Sequence, residues 1–586
     1  MKRFLFKKYT VLGAVISALA LLSCNKKLKE YNPSGVTAEN LYTTPSGFES
    51  LVNACYAYQK DWYGKQMGYA LSEVGTDLWV SGSSDLYPEL GSYRNLQGTS
   101  QAIIVEWQKM YAAVNMCNVG IDGVGKSGLS ATLQTTRTAE LKFLRAFYYW
   151  HIVENWGAVN FTIEPTEGAV TTANKTPIET FYAQVFDDLN FAVANLPVTT
   201  SDYGRVTKYA AQAFLARMYL SRGEYQNAVD NALAVAQNGG YSLLPNFADL
   251  WNMSNLRNKE VIYAVNYNTY TSPTSPILDI TGNPNFPDAD GILNQYGGNN
   301  GHLFFLMQYD NSRGMTRDVA NGRPFRRWAP TLFFLNLFDE TKDKRFAGSF
   351  QSLWKANTVA KAVNPRPTDP YPHVSLVAMA IGDTAIYVTK NEYPDQYRNT
   401  HSYKDTVNQT GGSYNNKGHF FVYDKSDVYD TTKNGRLKDL DHWMSLTKFM
   451  DPTRSDPQVA YSSRDVFVIR LAEVYLILAE AYMQLGDQSN ALLYLNKVRE
   501  RAGVDDATAS DLTLDYILDE RARELAGEQL RWFDLKRTGK LYDRVQAHNP
   551  DAALNMQPYH VLRPIPQGQI DAVTNKSEFT QNPGYQ

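Results

Sequence analysis

The chain has 586 residues, with 57 Lys and Arg against 60 Asp and Glu, a formal net charge of −3, and 13% aromatic residues. That length is ample for a large core or several units, and the acidic balance leaves no basic stripe for a nucleic-acid partner. Three cysteines exclude a disulfide-built scaffold.

The N-terminus reads as an export signal. Lys2, Arg3, Lys7 and Lys8 form a positive segment, and Val11 to Leu22 form an apolar run of about a dozen residues, too short for the ~20 that span a bilayer. Leu21-Leu22-Ser23-Cys24 then reads as a lipobox, so residues 1–23 are the expected lipoprotein signal peptide and Cys24 the lipid attachment site. The anchor predicts a place on the cell outer membrane, facing outward, although Asn25-Lys26-Lys27 lacks the acidic run common after such a cysteine. Loss of the four basic residues moves the formal charge from −3 to −7. Cys55 and Cys117 each fall in an apolar helix face; they could pair, but buried thiols fit that setting better.

Several segments carry helical periodicity. Residues 139–153 place Ala139, Phe143, Ala146, Phe147 and Trp150 on one face, and 177–195 do the same with Phe181, Val185, Leu189 and Ala192 behind a first-turn Pro177. Ala216, Tyr219, Gly223 and Ala228 recur at equal spacing as Ala479, Tyr482, Gly486 and Ala491. Small residues let two helices approach, the tyrosine fills their seam, and the glycine ends the first helix; this is tetratricopeptide-like pairing. With 263 residues between them, the two copies either meet through the fold or belong to separate small stacks. Leu514 to Leu525 form a further helix that Thr513 can cap. Residues 266–441 are instead rich in Gly, Asn, Pro and Tyr, with helical periodicity only at 331–338. Such a stretch is a loop-rich region, and its length points to function.

Two patterns invite over-reading. Gly120 to Ser127 satisfies the phosphate-loop spacing, but an amphipathic helix precedes it where a strand is required, so it reads as a connection between helices. Asp519, Glu520, Glu524 and Glu528 lie among Arg521, Arg523 and Arg531, which suits ion pairing rather than acid catalysis. No zinc, redox or nucleophile-elbow motif occurs. Asp288 and Asp290 could meet calcium in a loop, but no metal or cofactor is assigned.

From Arg470 the chain reads Arg-Leu-Ala-Glu-Val-Tyr-Leu-Ile-Leu-Ala-Glu-Ala-Tyr, then Leu495 to Gly503, Glu520 to Leu525, Arg531 to Arg537, Pro564-Ile565-Pro566 and Gln581 to Tyr585. This ordered series resembles the C-terminal half of SusD/RagB proteins. Phe143 to Tyr149 with Trp156-Gly157, Phe247 to Tyr263, and Phe338-Asp339 with Asp343, Arg345 and Phe346 resemble other parts of that family. The resemblance implies a mainly α, SusD-like fold: tetratricopeptide-like helix pairs as scaffold, a large irregular loop-rich region, and a few short strands. Its expected parts are an N-terminal helical region at 24–265, the variable region at 266–441, and a C-terminal helical region at 442–586 on the same scaffold. It further implies a non-enzymatic protein that captures an oligosaccharide or glycan and loads a SusC-like TonB-dependent transporter. A peptide ligand is the alternative, and a glycan-degrading enzyme a more distant one.

Sugars offer flat apolar faces ringed by hydroxyls, so their sites pair aromatic platforms with amide and charged groups. The loop from Asp77 to Asn95 follows the first helices, where the resembled family places part of its ligand site. It supplies Asp77, Trp79, Tyr87, Tyr93, Arg94 and Asn95, and the central region supplies Tyr296 and Trp328. The expectation is one shallow surface, with Trp79, Tyr93 and Trp328 stacking on sugar and Asp77, Arg94 and Asn95 hydrogen-bonding to it.

Overall fold

The computed structural model describes residues 41–267, 298–362, 376–393, 413–414 and 419–586. Cys24, Tyr296, Asp288 and Asp290 lie outside the described residues.

The larger helices are α1 (Pro45–Ala57), α2 (Gln101–Gly123), α3 (Ala131–Trp156), α4 (Ile178–Asn195), α5 (Lys208–Ser221) and α6 (Tyr225–Asn238) in the first half. A short α7 (Leu332–Asn336) sits in the middle; α8 (Leu471–Gln484), α9 (Gln488–Ala502), α10 (Leu514–Leu525), α11 (Arg531–Arg537) and α12 (Leu541–His548) close the chain. Their ends follow capping chemistry. Ser130 accepts from Leu133 N at the start of α3, Thr207 from Ala210 N at α5, and Thr513 from Tyr516 N at α10.

Each helix from α2 to α6 packs on the next, and α6 then lies along α8, which carries α9 and α10. The two motif copies therefore meet, and the fold joins them into one stack despite their separation in sequence. Gly223 and Gly486 end α5 and α8 with φ of +74° and +82°, the left-handed conformation that a side chain resists. Tyr482 stacks on Tyr494 of its partner helix, with centroids 6.0 Å apart, whereas Tyr219 stacks on Phe186 of the preceding α4 at 4.5 Å.

Strands are short. β2 (Val261–Val265) pairs antiparallel with β10 (Val466–Arg470), fastening the two halves of the chain together. β4 (Leu353–Lys355), β5 (Thr384–Val388), β7 (Phe421–Tyr423) and β6 (Ser413–Tyr414) form a four-stranded sheet in which β5 and β7 run parallel. β1 (Trp79–Ser81) pairs with β3 (Trp328–Pro330), and β8 (Tyr429–Asp430) with β9 (Arg436–Leu437).

The stack's interior is aromatic. Phe147, Trp150 and Phe533 surround His151, which burial holds neutral with a pKa of about 3. Cys55 and Cys117 are buried free thiols, as their setting predicted. Gly120 lies inside α2, and Ser127 donates back to Val124 O, so the phosphate-loop spacing is a helix end. Among the described residues no helix is long and apolar enough to cross a membrane.

Candidate functional site

The structure brings the two predicted loops together: Ser81 pairs with Trp328 and Trp79 with Pro330 across β1 and β3. Their tryptophans, however, face inward. Trp79 and Trp328 are each 0% exposed. The Trp79 indole N–H donates to Glu73 at 3.1 Å, and its ring packs on Phe305 and Phe334. Trp328 packs against Phe304, Phe305 and Tyr69. Neither ring can stack on a sugar, which corrects the expectation; enclosing such a large apolar surface favours the core over the rim. Tyr93 is buried too, with its hydroxyl donating to Gly75 O at 2.9 Å, and Tyr87 lies beneath the surface.

Asp77 is likewise removed from any ligand. It is wholly buried and accepts from Arg531 Nε and Nη2 at 2.8 and 2.6 Å and from Arg544 Nε at 2.7 Å. Burial alone would raise its pKa, but the two guanidinium groups override that and hold it at about 2. Of the described residues in the predicted set, Arg94 and Asn95 alone are exposed. They sit on a turn where Tyr93 and Asn95 have φ of 56° and 55°.

Two buried carboxyls hold the chain around β1 instead. Asp85 accepts from Ser81 Oγ at 2.7 Å and from Tyr87 N at 3.0 Å, and burial pushes its pKa up to about 6. Glu73, pushed up to about 7 by burial, accepts backbone N–H groups from Gly527 and Leu530. The charged C-terminal series is also an internal frame. Glu520 meets Arg345 at 2.6 Å, Glu524 meets Arg470 and Arg501, and Glu528 meets Arg470 at 2.7 Å and Lys448 at 2.8 Å. Burial would raise the Glu524 carboxyl, yet its arginines hold it at about 2, unsuited to donating a proton. Among the described residues no group of three His, Cys, Asp or Glu could hold a metal ion.

The outer surface next to β1 and β3 carries two hollows, each lined in part by the β8–β9 hairpin. One, of about 310 Å³, is lined by Ser81, Ser92, Arg94, Arg436, Asp551 and Leu554, the last 62% exposed. The other, of about 320 Å³, is lined by Phe333, Asn336, Lys425, Thr431, Asn434 and His548. Each reaches the lower end of the range for ligand pockets. Phe333 stacks on His548, with ring centroids 3.7 Å apart and planes 14° from parallel. Aromatic rings beside amide, hydroxyl and ammonium groups form the chemical set a sugar needs, supplied by residues the sequence reading did not select. One signal was available: Asn434-Gly435 is a turn dipeptide, and both residues have positive φ, at 55° and 76°.

Comparison with known proteins bears on this fold. Residues 294–585 match the model of the SusD family, and residues 38–220 match a model described as starch-binding associating with outer membrane. SusD-like protein P25 of Formosa agariphila is 26% identical over 99% of this chain and 100% of its own length. Starch-binding protein SusD of Bacteroides thetaiotaomicron is 24% identical over 88% of this chain and 84% of its own. Among solved structures, a laminarin binding SusD-like protein covers 93% of this chain and is itself wholly covered, with a TM-score of 0.63 and 22% identity. Surface glycan-binding protein A of Bacteroides thetaiotaomicron, in complex with laminarihexaose, covers 92% of this chain and is covered over 99% of its own length, with a TM-score of 0.62 and 18% identity.

Proposed function

Because this chain belongs to the SusD/RagB family, we propose that it binds an oligosaccharide or glycan at the outer face of a bacterial outer membrane. It then delivers that ligand, with no bond broken, to a partner TonB-dependent transporter of the SusC kind. The lipid on Cys24 tethers it beside that transporter and keeps the effective concentration high, so modest affinity suffices for loading. Energy for uptake comes from the transporter.

The observation that carries this reading is the hollow holding Phe333 and His548 among Asn336, Thr431 and Asn434. A sugar ring's apolar face meets the aromatic rings there, while its hydroxyls exchange hydrogen bonds with side-chain amides. Two relatives of the same fold are described as laminarin binding or seen with laminarihexaose, which supports a glycan as the ligand class.

Calorimetric titration of the mature chain, anchor included, in detergent against a panel of oligosaccharides and polysaccharides tests the proposal. One or more should bind, and Phe333→Ala should weaken that binding ~10-fold with a small change in thermal midpoint; losing an aromatic contact beyond its buried area accounts for ~0.5–1.5 kcal/mol, and the lost area for the remainder. Glycan retention untouched by Phe333→Ala, or release of new reducing ends from the bound polymer, would refute the reading.

A further inference from the structure

We infer that the ligand is an acidic glycan, carrying carboxylate or sulfate-ester groups, and that Arg94 and Arg436 recognise that charge in the hollow beside β1. The inference rests on the reading of this surface as the ligand site and specifies its substrate class. Two guanidinium groups line that hollow against one carboxylate, Asp551, and the carboxylate is already engaged. Asp551 accepts from Arg436 Nε at 2.8 Å and from Leu437 N at 3.2 Å. Arg436 is thus gripped through its Nε, while its two terminal amino groups have no partner among the described residues and the side chain is 42% exposed. That is how an arginine is readied to bind an oxyanion with two parallel N–H donors.

Arg94 has the complementary arrangement. Its side chain is exposed and forms no ion pair among the described residues, yet its backbone is fixed. Its own N–H donates to Ser92 Oγ at 3.3 Å, Asn555 Nδ2 donates to Ser92 O at 3.1 Å, and Tyr93 is pinned beneath through its hydroxyl. The turn is held before any ligand arrives, so binding orders the Arg94 side chain but not its backbone. The neighbouring hollow adds the ammonium of Lys425, 3.9 Å from Glu392, and no carboxylate lines it, while burial lowers the pKa of His548 there and keeps its ring from adding charge. On a chain whose formal net charge is −3, this run of cations is a local feature rather than a consequence of composition. A neutral glycan would make no use of it.

The test compares laminarin, which is neutral, with polygalacturonate, a sulfated galactan and polyglutamate, each titrated into the mature chain in detergent at low and high salt. We expect one or both acidic glycans to bind at least ~10-fold more tightly than laminarin. The double variant Arg94→Gln/Arg436→Gln should weaken that binding ~10- to 100-fold, the range for charge-assisted hydrogen bonds, and added salt should weaken it further. Which acidic glycan is retained separates carboxylate from sulfate recognition. If the double variant melts early, Arg94→Gln alone, at an exposed position, carries the test with ~10-fold weakening. Laminarin bound as tightly as either acidic glycan, insensitive to the arginine changes but lost with Phe333→Ala, overturns the acidic class and leaves the site reading standing. Preferential retention of polyglutamate overturns it in favour of a peptide. Binding that responds to none of these substitutions, or no glycan binding at all, removes the site reading and this inference together.

Discussion

Replacing Asp77 by alanine separates a structural role from a ligand contact. In the structure its carboxylate closes a buried triad with Arg531 and Arg544. Its pKa of about 2 lies below the ~3.9 of an unfolded aspartate, and each unit is worth ~1.4 kcal/mol, so ionised Asp77 contributes on the order of 2–3 kcal/mol at neutral pH. Removing one partner of a buried pair costs ~3–5 kcal/mol. The lower end applies here, because Arg544 keeps Asp515 and Asp519, while Arg531 retains the Leu518 carbonyl at 2.6 Å. For a chain of this size ~3 kcal/mol is a fall of roughly 2–3 °C in thermal midpoint. The sign with pH follows from the depressed folded pKa. The contribution is present above pH ~4 and is lost as pH falls towards 2, so wild type and Asp77→Ala should differ at pH 7 and converge near pH 2 in differential scanning calorimetry. Glycan retention by the folded variant should match wild type. An unchanged midpoint at pH 7 together with lost retention would refute this reasoning and restore Asp77 as a ligand group.

Trp79→Ala and Trp328→Ala each empty a fully buried site and should cost ~3–5 kcal/mol, seen as a clear fall in thermal midpoint, with ligand retention intact in whatever remains folded; a wild-type midpoint with lost retention would place the indole on the surface. Gly486→Ala should cost ~1 kcal/mol through backbone strain alone, because φ is +82° and a Cβ there meets nothing within 4 Å. A stabilised Gly486→Ala protein would show that α8 ends differently.

The helical scaffold was legible because each helix buries one face. Phe143, Phe147 and Trp150 mark the inner face of α3, and the alanine–tyrosine–glycine motif marks where α5 and α8 turn. The site was legible only as a neighbourhood. Trp79 and Val80 are both buried, so β1 shows no alternation between inner and outer positions that could have revealed which way the tryptophan points. An exposed platform and a core ring carry the same letter. Asp77 looks like a free hydrogen-bonding group in the sequence because its partners, Arg531 and Arg544, lie more than 450 residues further on. Phe333 gives no such signal, because it falls within the one helical segment of an irregular stretch, where an apolar residue reads as packing. In fact α7 is a single short helix whose Thr331 cap donates to Asp77 O, which ties it to the same frame and leaves Phe333 at the edge of the hollow.

That frame explains how loops with little regular structure can hold a surface in place. Asp77 before β1 is tied to α11 and α12; Glu260 before β2 reaches Arg470 and Arg501; Arg345, just after α7, reaches Glu520 and Glu524 on α10. Three segments far apart in sequence thus dock onto the C-terminal helices through charges that are almost completely buried. Such pairs add little net stability over apolar packing of equal volume, because desolvation offsets their attraction. A displaced docking, by contrast, would strand a buried charge without its counterion at a cost of several kcal/mol. The arginines and carboxylates therefore act mainly on register: they fix where β1, β3 and α7 sit relative to the stack. Arg94 and Asn434 lie outside every one of these pairs and Phe333 touches them only through the Arg544 guanidinium over its ring, so Arg94 and Asn434 can change without loosening the frame beneath them.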